Sequence, residues 1–277
     1  MNCLSSSTIR CLLLLGIGIA GACGAPASEQ SAAEKPLHYD ISYTVVPDPA
    51  GHRVAVTLQL SQDRRLLREL TFPLRESITD IDGDGTVATS NGLLRWQPPT
   101  GGGELRWNAA VEHRRNDGGY DAWLSPDWGL FRAEDIIPRA ATRTLKGATS
   151  RTQLHFELPP NWSVVTQYAE RDGGFRIRNS LRRFDEPTGW IVMGELGVRR
   201  ETIAGIRVAI AAPVGESQRR MDTLALLNWT LPELARILPE LPARLTIVSA
   251  GDPMWRGGLS GPQSLYVHAD RPLLSEN

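Results

Sequence analysis

The sequence predicts a mainly β protein: an N-terminal antiparallel β saddle or sandwich over residues 37–215, followed by the start of a mixed α/β unit over residues 216–277. Three observations predict it. Between Leu37 and Pro213, apolar and polar residues alternate with period two in one short run after another, the mark of half-buried strands. Clusters of Pro, Gly, Asn and Asp separate these runs, as hairpin connections do. Past Glu216 the spacing changes to three and four, which is the apolar stripe of a helix.

Residues 1–22 read as an export signal. Arg10 gives a positive start, Cys11 to Ala20 form an apolar run too short to span a bilayer, and Ala20-Gly21-Ala22 offers a small-residue cleavage site. Cys23 follows directly, so the same residues resemble a bacterial lipobox, with Ala20 where leucine is usual, and Cys23 is the expected lipidation site. Residues 23–36, rich in Ala, Ser, Glu, Gln and Pro and without periodicity, suit a flexible tether. The three cysteines, Cys3, Cys11 and Cys23, all fall in or beside this leader. The folded part therefore has neither a disulfide nor a thiolate ligand, and burial must carry its stability. An apolar content of 41% with eight tryptophans suits that demand. A net charge of −1 argues against nucleic acid as a partner. Beyond the leader no run approaches the ~18 apolar residues of a membrane helix, so membrane contact is expected only through a lipid anchor in an exported, periplasmic or outer-membrane protein.

Leu37, Tyr39, Ile41, Tyr43 and Val45 alternate with polar residues, and after the turn Pro47 to Gly51 so do Val54, Val56, Leu58 and Leu60: a hairpin. Further strands are expected at Glu69–Pro73, Ser77–Ile81, Leu93–Trp96, Glu104–Val111, Gln153–Leu158, Trp162–Tyr168, Phe175–Ile177, Trp190–Val198 and Ile206–Ala212. Asn116 to Pro138 breaks the pattern with Trp123, Trp128 and Phe131, an aromatic loop that packs over a sheet or lines a pocket. No helix is expected before Pro213. Leu224, Leu227, Leu231, Leu234 and Leu238 then mark a helix, and Pro232 interrupts it. Thr230 and Glu233 form a capping box, so a second helix is expected to start at Thr230. A strand at Arg244–Ser249, a Gly-rich loop at Gly257–Gly261 and a strand at Ser264–His268 follow.

A zincin needs two histidines one helical turn apart, so that both imidazoles face one metal, with a Glu between them as general base. His38, His52, His113, His155 and His268 offer no such pair, and each reads as a surface or strand residue. Asp80-Ile81-Asp82-Gly83-Asp84-Gly85 matches the opening of a calcium loop, three carboxylates that converge on a hard cation, but position twelve is Asn91 where a bidentate Glu belongs. A plain β-turn explains the same residues. Ser260 lacks the Gly two residues later that a nucleophile elbow requires, because Pro262 stands there. The arginine pairs at 182–183, 199–200 and 219–220 have acids nearby and read as surface ion pairs.

The stretch from Ala250 to Asn277, with Gly257-Gly258-Leu259-Ser260-Gly261 ahead of a strand, resembles the substrate-binding edge strand of gluzincin metallopeptidases of the aminopeptidase-N-like and glycyl-aminopeptidase-like families. There a Gly-Ala-Met-Glu-Asn or Gly-Gly-Leu-type motif comes shortly before the zinc helix. The resemblance implies a β saddle ahead of a thermolysin-like domain, with Gly257, Gly258, Leu259, Ser260 and Gly261 binding extended peptide through their backbone. In aminopeptidases a Glu of this motif holds the substrate's amino terminus; here Ser260 or Gly261 stands nearest its place. The resemblance also implies a His-Glu-x-x-His helix beyond Asn277, so no catalytic residue, no metal and no cofactor is expected in this chain, and zinc only in a full-length relative. The expectation is a peptidase-family protein, inactive as given. The competing expectation is a non-catalytic envelope lipoprotein that holds a peptide or partner at Gly257–Ser264 and the Trp123/Trp128 loop. A third is a calcium-stabilised β module built on Asp80, Asp82 and Asp84.

Overall fold

The computed structural model describes residues 37–179, 184–216 and 219–270; Cys23, the leader and the tether lie outside them. The described chain is mainly β, as its alternation predicts. Strands β1 (His38–Asp48) and β2 (Arg53–Ser61) form the expected hairpin through a 3-10 turn at Pro49–Gly51, where Asp48 accepts the Gly51 N–H. Then come β3 (Leu67–Pro73), β4 (Ile78–Gly83), β5 (Thr86–Ser90), β6 (Leu93–Gln97) and β7 (Gly102–Ala110). Their inward residues, among them Tyr43, Leu58, Leu70, Trp96 and Trp107, join one buried cluster. Burying such side chains contributes about 1.5–3 kcal/mol each.

The aromatic stretch is not a loop. It folds as β8 (His113–Arg114), β9 (Tyr120–Leu124), β10 (Trp128–Arg132) and a single turn, α1 (Ala133–Ile136). Ser125 makes the β9–β10 connection: its hydroxyl donates to the Trp128 carbonyl and accepts the Trp128 N–H. Strands β11 (Ala141–Thr144), β12 (Thr149–Phe156), β13 (Ser163–Val165), β14 (Ala169–Arg171) and β15 (Gly174–Ile177) complete the saddle, together with β16 (Trp190–Gly194). Three sheets share its core, in the orders β14-β15-β12-β1-β2-β7-β4, β13-β16-β10-β9-β8 and β11-β3-β6-β5. The pairing is not wholly antiparallel. Strands β1 and β12 run parallel, His38 beside Thr149 through Val45 beside Phe156, a long-range contact that local pattern does not encode.

The strand expected at Trp190–Val198 is two strands in two sheets. Gly194 has φ +138°, and a Cβ there would lie 2.8 Å from the Asp127 carbonyl oxygen. At that point the chain leaves β10 and enters β17 (Leu196–Ile203), which pairs with β18 (Ile206–Pro213). After helix α2 (Arg220–Ile237) come β19 (Arg244–Val248), β20 (Gly258–Gly261) and β21 (Ser264–Val267), giving a fourth sheet, the second sheet assembly after the saddle, in the order β17-β18-β19-β21-β20. Its strands β18, β19 and β21 are parallel neighbours and the rest antiparallel. One face packs Val208, Ile210 and Ile247 against Leu224 and Leu231 of α2. The other packs Ala211, Val248 and Tyr266 against Trp128, Trp190 and Val192 of the saddle.

Helix α2 is continuous, and the expected restart at Thr230 does not occur. The Thr230 hydroxyl donates back to the Leu226 carbonyl, 3.0 Å, in a mid-helix bond rather than a cap. Pro232 withholds an N–H from Asn228, and both residues are exposed, so the freed carbonyl is open to solvent.

Candidate functional site

The Gly-rich segment expected as a loop is the edge strand β20. It pairs with β21 on one side, Gly258 beside Val267 through Gly261 beside Ser264. The His268 N–H donates to the Gly257 carbonyl at 2.9 Å. Antiparallel ladders alternate bonded and non-bonded pairs, so Leu259 and Gly261 direct their polar backbone atoms inward. Gly258 and Ser260 direct theirs outward, and both are exposed. An open edge of this kind is a template for an added strand.

Trp190 anchors the hairpin to the saddle. Its indole N–H donates to the Leu259 carbonyl at 3.0 Å, and its backbone N–H donates to the Ser264 hydroxyl at 2.9 Å. Its ring lies 5.3 Å from that of Tyr266, and the Arg132 guanidinium lies over it at 5.3 Å. Arg132 is held in turn by Asp121 and Asp135. Burial raises the Asp135 carboxyl above the usual range, against the pull of Arg132. Beside Trp190, Gly189 donates its N–H to Glu134. No sequence signal gave Trp190, Arg132, Asp121, Asp135 or Gly189 this role; it comes from contact between distant strands.

Ahead of the edge, the Trp255 ring closes on Gly257, where an added Cβ would lie 2.2 Å from it. Arg115 covers the ring from 4.4 Å. Backbone bonds between Tyr120 and Pro253 and between Trp255 and Tyr120, with the Tyr266 hydroxyl donating to the Trp255 carbonyl at 2.8 Å, stitch this segment to β9. The two tryptophans of the aromatic stretch part company. Trp128 is buried in the core between saddle and second sheet, whereas Trp123 packs on Tyr120 and His52 at its margin.

The metal candidates do not assemble. Asp80 accepts from Asn108, Asp82 faces Arg106, and Asp84 accepts the Glu104 N–H. The histidines sit apart: His38 against Thr149, His52 on the Leu124 carbonyl, His113 on Asp121, His155 on Gly173 and Gln153. Buried His268 accepts the Asp270 N–H and lies 3.6 Å from Asp252. Among the described residues no three His, Cys, Asp or Glu side chains are placed to hold a metal ion, so they do not fit the zinc that the resemblance implies for a full-length relative.

A mixed sheet leans on a β saddle, and among the described residues its glycine-rich strand β20 has a partner on one side only. No family model matches the sequence, and no curated protein matches it. The fold is shared with the crystal structure of an aminopeptidase N family protein from Idiomarina loihiensis, at TM-score 0.63 and 17% identity. The similarity covers 86% of this chain but 44% of that one, so this chain spans less than half of that protein's length.

Proposed function

We propose that this chain is the peptide-binding part of an exported gluzincin-type peptidase of the aminopeptidase-N-like or glycyl-aminopeptidase-like kind, inactive by itself. The open edge of β20, with Gly258 and Ser260 facing outward, carries the reading. The shared fold supports it, and so does an apolar flank: Trp229 is 74% exposed, Ile237 75% and Met221 62%. Exposed apolar side chains of this size are what a surface covered by another body would carry. Zinc in a full-length relative would activate a water and polarise a scissile carbonyl; the described residues offer no ligand set for it. The chain's own contribution is to align the substrate backbone on Gly258 and Ser260. With Ser260 or Gly261 nearest the place where aminopeptidases have a Glu, this edge lacks the carboxylate that would grip a free amino terminus.

The test is a fluorescent extended peptide titrated against the full chain. Ser260→Pro removes an outward N–H that no described residue uses, and proline is tolerated on an edge. We expect binding at least tenfold weaker, with an unchanged melting temperature and the peptide recovered intact. Equal binding by Ser260→Pro refutes the edge, and cleavage of the peptide refutes the inactive state.

The competing reading, a non-catalytic envelope lipoprotein, uses the same edge, but the burial of Trp128 removes half of the loop it relied on. Both readings place the protein on a membrane through Cys23. No described helix is long and apolar enough to cross one. Radiolabelled fatty acid is expected on the wild type and not on Cys23→Ala; label retained by the variant would exclude the anchor.

A further inference from the structure

A cavity of about 720 Å³ opens between the saddle and the far side of the second sheet, away from β20. Such a volume falls within the ~300–1,000 Å³ of small-ligand sites. Three guanidiniums line it: Arg200 from β17, Arg207 from β18 and Arg244 from β19. Strand alternation puts them on one face. Ile206, Val208, Leu245 and Ile247 turn toward α2, so their neighbours Arg207 and Arg244 turn toward the saddle. Arg207 and Arg244 are side by side in parallel register, and Arg200 sits beside Ala209, one step along the same face. The floor is fixed, because the buried Thr246 hydroxyl donates to the Thr166 carbonyl across the junction at 3.3 Å.

Like charges next to each other on neighbouring strands repel. Elsewhere on the surface this chain pairs its arginines: Arg219 holds Asp222, Arg151 holds Asp40 and Arg256 holds Asp252. The expectation that Arg199–Arg200 behaves likewise fails for Arg200. No ion pair or side-chain hydrogen bond joins Arg200, Arg207 or Arg244 to another described residue. Glu170 also lines the cavity without an ion pair to them, whereas Glu201 stands beside Val208 on the α2 face, so three positive charges meet one negative on the saddle side. Burial, and then the nearby Arg207, both work against the charge on Arg244. Three guanidinium forks from three strands suit the several oxygens of a tetrahedral oxyanion better than a planar carboxylate. We infer that this cavity is a binding site for a phosphate-class dianion, a phosphomonoester or pyrophosphate group, separate from the peptide edge and independent of the reading given to it.

The experiment is thermal melting of the full chain with inorganic phosphate or pyrophosphate, against sodium chloride and sodium acetate at matched ionic strength. At about ten times its Kd, pyrophosphate is expected to raise the melting temperature by about 4 °C, with little change from chloride or acetate. Arg207→Gln/Arg244→Gln should abolish the rise. Arg207→Glu, which supplies Arg244 with a carboxylate, should raise the melting temperature without any anion and respond to none. The inference is overturned if wild type responds to pyrophosphate no more than to chloride or acetate. It is equally overturned if the double variant responds as wild type does. Should the double variant fail to fold, Arg200→Gln gives the same comparison from the third strand.

Discussion

Trp190→Ala is expected to destabilise the protein by about 3–5 kcal/mol, the range for emptying a buried aromatic site. Trp190 is wholly buried where saddle and second sheet meet, and it is among the largest side chains so placed. The variant leaves a cavity against Tyr266 and takes the indole N–H from the Leu259 carbonyl. At about 2–4 °C per kcal/mol for a chain of this size, melting should fall by roughly 10 °C. Peptide binding should fall too, because the hairpin loses its tie to the saddle. Trp190→Phe keeps most of the packing and loses the hydrogen bond, a change of about 1 kcal/mol. The difference between the two variants separates packing from polar anchoring. Melting of Trp190→Ala within 2 °C of wild type would show that the two bodies are not coupled through this residue.

Gly189→Ala is the second large effect, about 2–4 kcal/mol by denaturant unfolding. Gly189 has φ +86°, a region where an L side chain is strained. An added Cβ would also lie 2.7 Å from Gln167 Nε2, 2.8 Å from Ser264 Oγ and 2.9 Å from the Pro262 carbonyl oxygen. The last of these is backbone at the hairpin tip, so relief requires the β20–β21 turn to move. Gly92→Ala is the control: φ is +70°, yet no atom lies within 4 Å of the added Cβ. It should show strain alone, about 1 kcal/mol. Equal losses in the two variants would remove the case for close contact at the hairpin tip.

Most of the saddle was legible because a half-buried strand writes its two faces directly into the sequence. The hairpin at Tyr39–Leu60 and the strand at Ile206–Ala212 follow from alternation alone. Trp190–Val198 misled because apolar residues lie on both sides of Gly194 and Glu195, so the two strands read as one run. Thr230 misled for a different reason: a capping box and a mid-helix threonine share the same letters, and only the continuing backbone decides between them. The residues at 257–261 read as a loop because glycines give no side chains to alternate; only the resemblance to an edge strand pointed the other way.

What the chain alone determined is local: where strands run, where the period changes to that of a helix, and that no two histidines stand one helical turn apart. What only the tertiary structure decided is who lies beside whom. It set β1 parallel to β12, put Trp190 under the β20–β21 hairpin and turned Arg200, Arg207 and Arg244 into one cavity. Strand pairing joins residues that are far apart in sequence, and its energy comes from burial and hydrogen bonds that exist only once those residues meet.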